Sequence, residues 1–435
     1  MAGVSAERVT FNQQIAPILH QNCSVCHRPG EAAPFSLLSY ADAQKKAKTI
    51  AKAVTSGSMP PWKAEPASFP YRDERRLSAS QIQLIQAWVE DGMPEGQGAK
   101  PEPPSFPSGW RLGPPDMVVE MPSAYHVPAD GSDIYRNIAV PLGLKEDRWL
   151  TAIDMHPSAR AVVHHVLYFA DPNGKVHERS QAGAEPGFSG MRAGGASIPL
   201  GGWALGAQPH FYPEGFALQL PKGSDLVVQY HFHPTGKPEA EKSVIGLYFA
   251  KKAPERSLTR IQMPPAYSLF AGLDIPAGEK DFVLRDSYTL PVGVDALGVG
   301  AHAHYICKQL KMTATLPEGG VKTLLQIKDW DFAWQDRYYF KELVSLPKGT
   351  KLDVEIHWDN SAGNPRNPSS PPVRVTWGEE SKDEMGSVSL IAVPKVQSDL
   401  LTLYAEMAQR QRQLARKAMV GNPEIAKKVR QILSE

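Results

Sequence analysis

Two groups of residues in this 435-residue chain have the types and spacing for chemistry. The first is Cys23-Ser24-Val25-Cys26-His27. Two cysteines two residues apart, followed at once by histidine, form the attachment motif for c-type haem. The thiols become thioethers on the vinyl groups, and His27 becomes an axial iron ligand. A structural zinc site would need two further ligands nearby, and His20 alone does not supply them. A redox dithiol expects a βαβ setting, which the flanking sequence lacks. A thioether is a common second axial ligand. Met59 in SGSMPPW leads, because Pro60 and Pro61 hold its backbone extended and rigid. Met93 in DGMPEG stands second and His20 third.

The second group is histidine. Thirteen are present, and six fall in three tight sets: His164-His165, His231-x-His233 and His302-x-His304. On a strand, residues two apart share a face with Cα atoms roughly 6.5 Å apart. His302 and His304 can therefore close on one ion, and His231 and His233 stand in the same relation. His164 and His165 sit side by side in the strand-like run RAVVHHVLYFA, where regular pleating sends neighbours to opposite faces. One such pair would be unremarked, but three sets shift the weight to metal. Imidazole suits copper, zinc, iron and nickel alike, so the histidines do not name the ion. His156, His210 and His357 read as structural, and Cys307 as a small buried hydrophobe.

These groups need scaffolds. In VTFNQQIAPILHQ, residues 9–21, Phe11, Ile15, Ile18 and Leu19 line one helical face. Residues 41–54 are rich in Ala and Lys and predict a second helix. LSASQIQLIQAWVEDG predicts a third, with Ser78 and Gln81 as a capping box, a stripe of Ile82, Ile85 and Val89, and Gly92 as the stop. Residues 1–97 thus predict a small all-α domain, and residues 98–115 a Pro-rich linker. From 116 to 395 the texture changes to short runs such as DLVVQYHFH, SVIGLYFA, LKMTATL and KLDVEIHW, punctuated by Gly, Pro, Asn and Asp. This predicts two all-β sandwiches, 116–257 and 258–395, with the seam inside KKAPERSLTRIQMPP. Residues 396–435 predict a helical tail, interrupted at Gly421-Asn422-Pro423.

The order H-H, Q-x-H, H-x-H, D-E-M, as VVHHVLYF, VVQYHFH, AHAHYI and SKDEMGSVSL, resembles the copper type II, ascorbate-dependent monooxygenases, which include peptidylglycine α-hydroxylating and dopamine β-monooxygenases. The loop WDNSAGNPRNP looks like a segment of bacterial members. The resemblance covers roughly residues 116–395 and implies jelly-roll-like sandwiches. It implies that His164, His165 and His231 bind an electron-transfer copper. It implies that His302, His304 and Met385 bind a second, oxygen-activating copper and are the catalytic set. Both rings of the H-H pair would then face one ion, so a local distortion of that strand is expected. His233 has no counterpart in the motif and reads as an outer partner or a strand-end polar residue. The N-terminal helices, the Met loop and Trp88 resemble a class I cytochrome c domain, and the whole chain looks like bacterial fusions of the two.

The resulting expectation is a haem-fed copper monooxygenase. It hydroxylates a C–H bond of a small organic substrate with O2, with electrons passing from one covalent haem c to one copper and on to the second. The alternatives are a non-catalytic haem and copper electron carrier or copper-binding protein, or a haem–copper reductase of a small molecule such as nitrite. A donor external to the chain would reduce the haem. A formal net charge of +1 gives no general attraction to nucleic acid or to an acidic membrane surface. No run approaches the ~18 consecutive apolar residues of a membrane span. Three cysteines build no disulfide framework. The first residues, MAGVSAERVTF, lack a signal peptide. Because haem c is attached outside the cytoplasm, a periplasmic or other extracytoplasmic protein with its signal peptide removed is expected.

Overall fold

The structure, a computed structural model, describes residues 8–31, 33–106, 109–183, 185–190, 198–421 and 423–434. Its contacts divide into two units: Met1–Trp62 with Asp73–Arg111, and Lys63–Arg72 with Leu112–Glu435.

The first unit is helical. Phe11–Ile15 forms one π-helical turn that continues as the α-helix Ala16–Asn22, and Phe11, Ile15, Ile18 and Leu19 are all buried. Tyr40–Thr55 starts at Ser39, whose hydroxyl accepts from the Asp42 N–H while the Asp42 carboxylate accepts from the Ser39 N–H. Ala79–Glu90 has the same reciprocal cap from Ser78 and Gln81. Each such cap satisfies two donors that a helix start otherwise strands. The apolar stripe of this last helix is narrower than expected: Ile85 and Trp88 are buried, while Ile82 and Val89 pack at the margin. The expected linker is also shorter. Arg111 bonds Glu31 at 2.6 Å and Arg28 lies 3.7 Å over the Phe106 ring, so residues up to 111 belong to the helical unit.

The second unit is β-rich. Its first sandwich has one five-stranded sheet ordered Met117–Glu120, Val244–Phe249, Arg148–His156, Phe216–Leu220 and Arg256–Ser257. The other sheet is ordered Phe188–Ser189, Ile134–Pro141, Asp225–Phe232, Val163–Asp171 and Ile198–Ala204. Ile138, Val166, Val228, Tyr230, Phe232 and Leu247 fill the core between them. The second sandwich pairs the sheet Thr259–Met263, Gly386–Pro394, Val294–Ala303, Arg337–Leu346 with the sheet Phe282–Thr289, Lys351–Trp358, Cys307–Thr315, Val321–Ile327. In Lys351–Trp358 every second residue is buried, as a half-covered sheet requires.

The change of sandwich falls at Leu258. Arg256–Ser257 still pairs with Phe216–Leu220, and Thr259–Met263 already pairs with Gly386–Pro394. Leu258 packs with Phe216, Leu297 and Val393, and Arg256 pairs with Asp295 at 2.6 Å. All three cysteines are free, so this apolar plug joins the sandwiches without a disulfide.

One segment departs from the expected 1–97 block. Lys63–Arg72 leaves the helical unit and lies along the second sandwich. Ala64 bridges Ile327, the Glu65 N–H donates to Gln326 O at 2.7 Å, and the Ser68 N–H donates to Thr323 O at 2.9 Å. Tyr71 bridges Phe340, stacks on its ring and donates to Leu324 O at 2.7 Å. Val321–Ile327 and Arg337–Leu346 are each the last strand of their sheet. The segment therefore straps two open edges, whose unpaired backbone groups would otherwise invite other chains. Asp399–Gly421 and Pro423–Ser434 are the two tail helices. Among the described residues no helix is long and apolar enough to cross a membrane.

Candidate metal centres

Strands Val163–Asp171 and Asp225–Phe232 run antiparallel, with His165 opposite His231. Their register shifts between Val163 and His165, which leaves His164 as the extra residue of a bulge. A bulge breaks the alternation of side chains. His164 and His165 thereby face His231 together. The three Nδ1 atoms lie 3.1 Å (164 to 165), 3.2 Å (164 to 231) and 3.3 Å (165 to 231) apart. The centre of a triangle of that size lies about 1.9 Å from each corner, close to a typical metal–imidazole bond of about 2.0 Å. This donor set fits a cation. Burial, reinforced by the neighbouring His231, pushes His164 down to about 3 and His165 well below the ordinary imidazole value, so both rings are held neutral.

The outer partners fix which nitrogen faces inward. His231 Nε2 donates to Asp133 Oδ2 at 2.9 Å, which leaves the Nδ1 lone pair free. Asp133 also accepts from His233 Nδ1 at 2.7 Å and from Ser381 Oγ at 2.9 Å. Burial works to raise the Asp133 carboxyl, but the bonds from His231, His233 and Ser381 hold it well below the usual carboxylate range. Tyr135 stacks on the His231 ring at 4.4 Å and meets Ser381 Oγ at 3.0 Å. Ser381 belongs to the second sandwich, so the backing of this set crosses between the sandwiches. His233 itself is exposed and stands outside the triangle.

The second set is built at a strand end. His302 and Ala303 close Val294–Ala303, and His304 follows it. Their rings are 5.3 Å apart and perpendicular. His302 Nδ1 donates to Gln335 Oε1 at 2.6 Å, and His304 Nδ1 donates to Asp383 O at 3.1 Å. The Nε2 atoms are therefore the free lone pairs, and His304 Nε2 is buried with no hydrogen-bond partner. An orphaned ring nitrogen is costly unless something binds it, so this set also fits a metal. Burial pushes His302 down to about 4 and His304 to about 3.

Met385 is buried and joined to His304 through Glu384. The Glu384 carboxylate accepts from the N–H groups of His304 (3.0 Å), Ile306 (2.9 Å) and Met385 (3.1 Å) and from Trp358 Nε1 (2.9 Å). One buried side chain thus holds both ends of the ligand set. Gly386 is required here, because a Cβ would strike the Trp358 ring.

A short segment touches both sets. Trp330 Nε1 donates to His304 O at 3.1 Å, Gln335 holds His302, and the Phe332 ring lies 5.2 Å from His164 and 5.8 Å from both His231 and His304. Cys307 is fully buried, and burial drives its thiol far above the ordinary value, so it offers no thiolate. Three further histidines have other partners: His156 meets Asp154 at 3.3 Å, His210 packs edge-on to Tyr339, and His357 lies between Asp281 and Glu355.

In the helical unit, Cys23, Cys26 and His27 follow Ala16–Asn22 in a tight turn, with the His27 N–H donating to Cys23 O at 2.9 Å. His27 Nδ1 donates to Phe35 O at 3.1 Å, which leaves Nε2 for a metal. Burial pushes the Cys23 thiol up to about 12. Of the axial candidates, Met93 packs against the helical core and His20 Nε2 lies 3.2 Å from Leu38 O, whereas Met59 is half-buried outside that core. Sequence reasoning passed over Asp133, Phe332, Gln335, Ser381 and Glu384. Only Glu384 carried a signal, inside the D-E-M run.

No protein-family model matches the chain. The DBH-like monooxygenase protein 1 of Gallus gallus is 24% identical over 245 residues, which is 52% of this chain and 37% of that protein. The chain thus spans little more than a third of that relative's length. Among solved structures, the infectious bursal disease virus VP2 subviral particle aligns with 66% of this chain and 72% of its own at 10% identity and a TM-score of 0.19. The major capsid protein P2 of bacteriophage PM2 aligns with 64% of this chain and 97% of its own at 11% identity and a TM-score of 0.25. Scores of that size carry no argument. The chain is similar, over about half its length, to a DBH-like monooxygenase.

Proposed function

We propose that this chain is a copper-dependent monooxygenase that hydroxylates a C–H bond of a small organic substrate, fed with electrons by a haem c on the same chain. The observation that carries this reading is the pairing of two neutral histidine sets about one aromatic ring. One set has three Nδ1 atoms within 3.3 Å of each other, and the other has a buried Nε2 without a partner. Similarity to a DBH-like monooxygenase supports the same reaction class.

Copper at His164, His165 and His231, copper at His302, His304 and Met385, and haem at Cys23, Cys26 and His27 would supply one-electron storage and a position for O2. The reaction takes the substrate C–H, O2, two electrons and two protons to the alcohol and water. The residues themselves hold the geometry. Asp133 keeps the proton of His231 on Nε2, so the inward nitrogen stays a ligand. Gln335 and the Asp383 carbonyl do the same for His302 and His304 at Nδ1. Glu384 fixes the backbone of His304 against that of Met385. The Met385 thioether is a soft donor and favours the cuprous state that meets oxygen. Met59 is the proposed second axial ligand of the haem iron, and tethering the haem to the β unit raises its effective concentration as a donor. The reading places maturation and function outside the cytoplasm.

The test is copper per haem after maturation in a host that attaches haem c, followed by O2 uptake against candidate substrates. About two coppers per haem with substrate-dependent O2 uptake is the expected result. Zinc, or no metal, at the histidine sets would refute it.

A further inference from the structure

Phe332 touches both histidine sets. Its ring is stacked on His164, with centroids 5.2 Å apart at 29°, and lies 5.8 Å from His304. The ring centres of His164 and His304 are therefore at most about 11 Å apart, and Phe332 is in contact with both, so one side chain forms a contact path from one set to the other. Phe332 is only 7% exposed. Its backbone is anchored on both sides. The Phe332 carbonyl accepts from Gln335 Nε2 at 3.1 Å, and Trp330 Nε1 holds His304 O. Arg366 bonds Asp329, and Lys63 pairs with Asp329 at 3.3 Å and Asp331 at 3.7 Å. A ring held this firmly acts as a spacer.

We propose that Phe332 is a positioning residue that sets the separation of the two metal centres and provides the packed path for the electron that passes between them. The proposal rests on the two-copper reading above. The step is a single-electron transfer: copper at the three-histidine set goes from Cu(I) to Cu(II), and copper at the His302–His304–Met385 set takes up the electron. No bond in Phe332 forms or breaks, and the ring is not itself oxidised. Tunnelling decays less steeply through packed, bonded atoms than across a gap, so the medium matters even where the distance is fixed.

The experiment uses the full chain with haem attached and copper loaded, as wild type, Phe332→Leu and Phe332→Ala. Three quantities are read: copper per haem, the Cu(II)–Cu(II) spacing by pulsed electron paramagnetic resonance, and the growth of the three-histidine Cu(II) signal after the reduced protein meets O2. The expected result is two coppers per haem in all three proteins, a sharp spacing in wild type that broadens in Phe332→Ala, and transfer slowed about tenfold in Phe332→Ala and about threefold in Phe332→Leu. If Phe332→Ala does not fold, Phe332→Leu decides by the same spacing and rate. Two coppers with unchanged transfer and spacing in the variants overturns this proposal alone. Fewer than two coppers in the wild type overturns it together with the reading beneath it.

Discussion

The two histidine sets differ in which nitrogen they turn inward and in what stands behind it. In the first set the inward atoms are Nδ1, and the His231 ring is backed by a half-buried carboxylate, Asp133. In the second the inward atoms are Nε2, and the backing groups are neutral: the Gln335 amide and the Asp383 carbonyl. A carboxylate behind an imidazole raises its basicity and stabilises the more highly charged ion. Neutral backing with a thioether nearby favours the lower charge. On the two-copper reading, one residue type would thus serve two redox tasks, distinguished by the groups behind the rings and by the Met385 thioether.

Four experiments break or sharpen that contrast. Removing a corner should matter most: His231→Ala should lower copper per haem from about two to about one, with the second set still filled. Loss of both ions would mean that the sets do not load independently. Next, Asp133→Ala should weaken copper at the first set about 10- to 100-fold in a competition titration and leave the second unchanged. Asp133→Asn should do less, because the amide oxygen can still accept from His231. Gln335→Ala should weaken the second set by about tenfold at most, since only a neutral acceptor is lost. An equal effect from Gln335 and Asp133 would remove the distinction drawn here.

The smallest effect concerns a histidine that carries no ligand role. Burial opposes charge on His357, but the Asp281 and Glu355 carboxylates outweigh it and raise its pKa. A folded-state value above the unfolded one adds stability below the unfolded pKa of about 6.5 and loses it as pH rises through the folded value. His357→Gln should thus cost the protein less than about 1 kcal/mol near pH 5.5, allowing for solvent screening, and nothing at pH 9. Denaturant unfolding at the two pH values measures it.

Local signals announced the candidate ligands, while their supports came from distant parts of the chain. Capping residues Ser78 and Gln81, the buried face of Phe11, Ile15, Ile18 and Leu19, and the change of texture near 116 were all legible, because helix and strand periodicity are local. The strap Lys63–Arg72 was not, because it carries no regular hydrophobic period and its partners lie far along the chain. Adjacent His164 and His165 raised the question of how both could face one ion. The bulge that answers it depends on the pairing with Asp225–Phe232, which no local window contains. Asp133, Ser381 and Phe332 are ordinary residues in their own neighbourhoods, and only tertiary packing sets them against histidines.

The strap also dictates an order of events during synthesis. Its residues leave the ribosome early, yet the strands whose edges they cover emerge roughly 250 residues later, since chains are made and domains fold from the N-terminus. Until then the strap cannot make its bridges to Ile327 and Phe340. Closure of those edges must wait for Val321–Ile327 and Arg337–Leu346 to emerge. A nascent chain halted before residue 321 should therefore be cut by proteases between Trp62 and Asp73, and the finished protein should resist cleavage there.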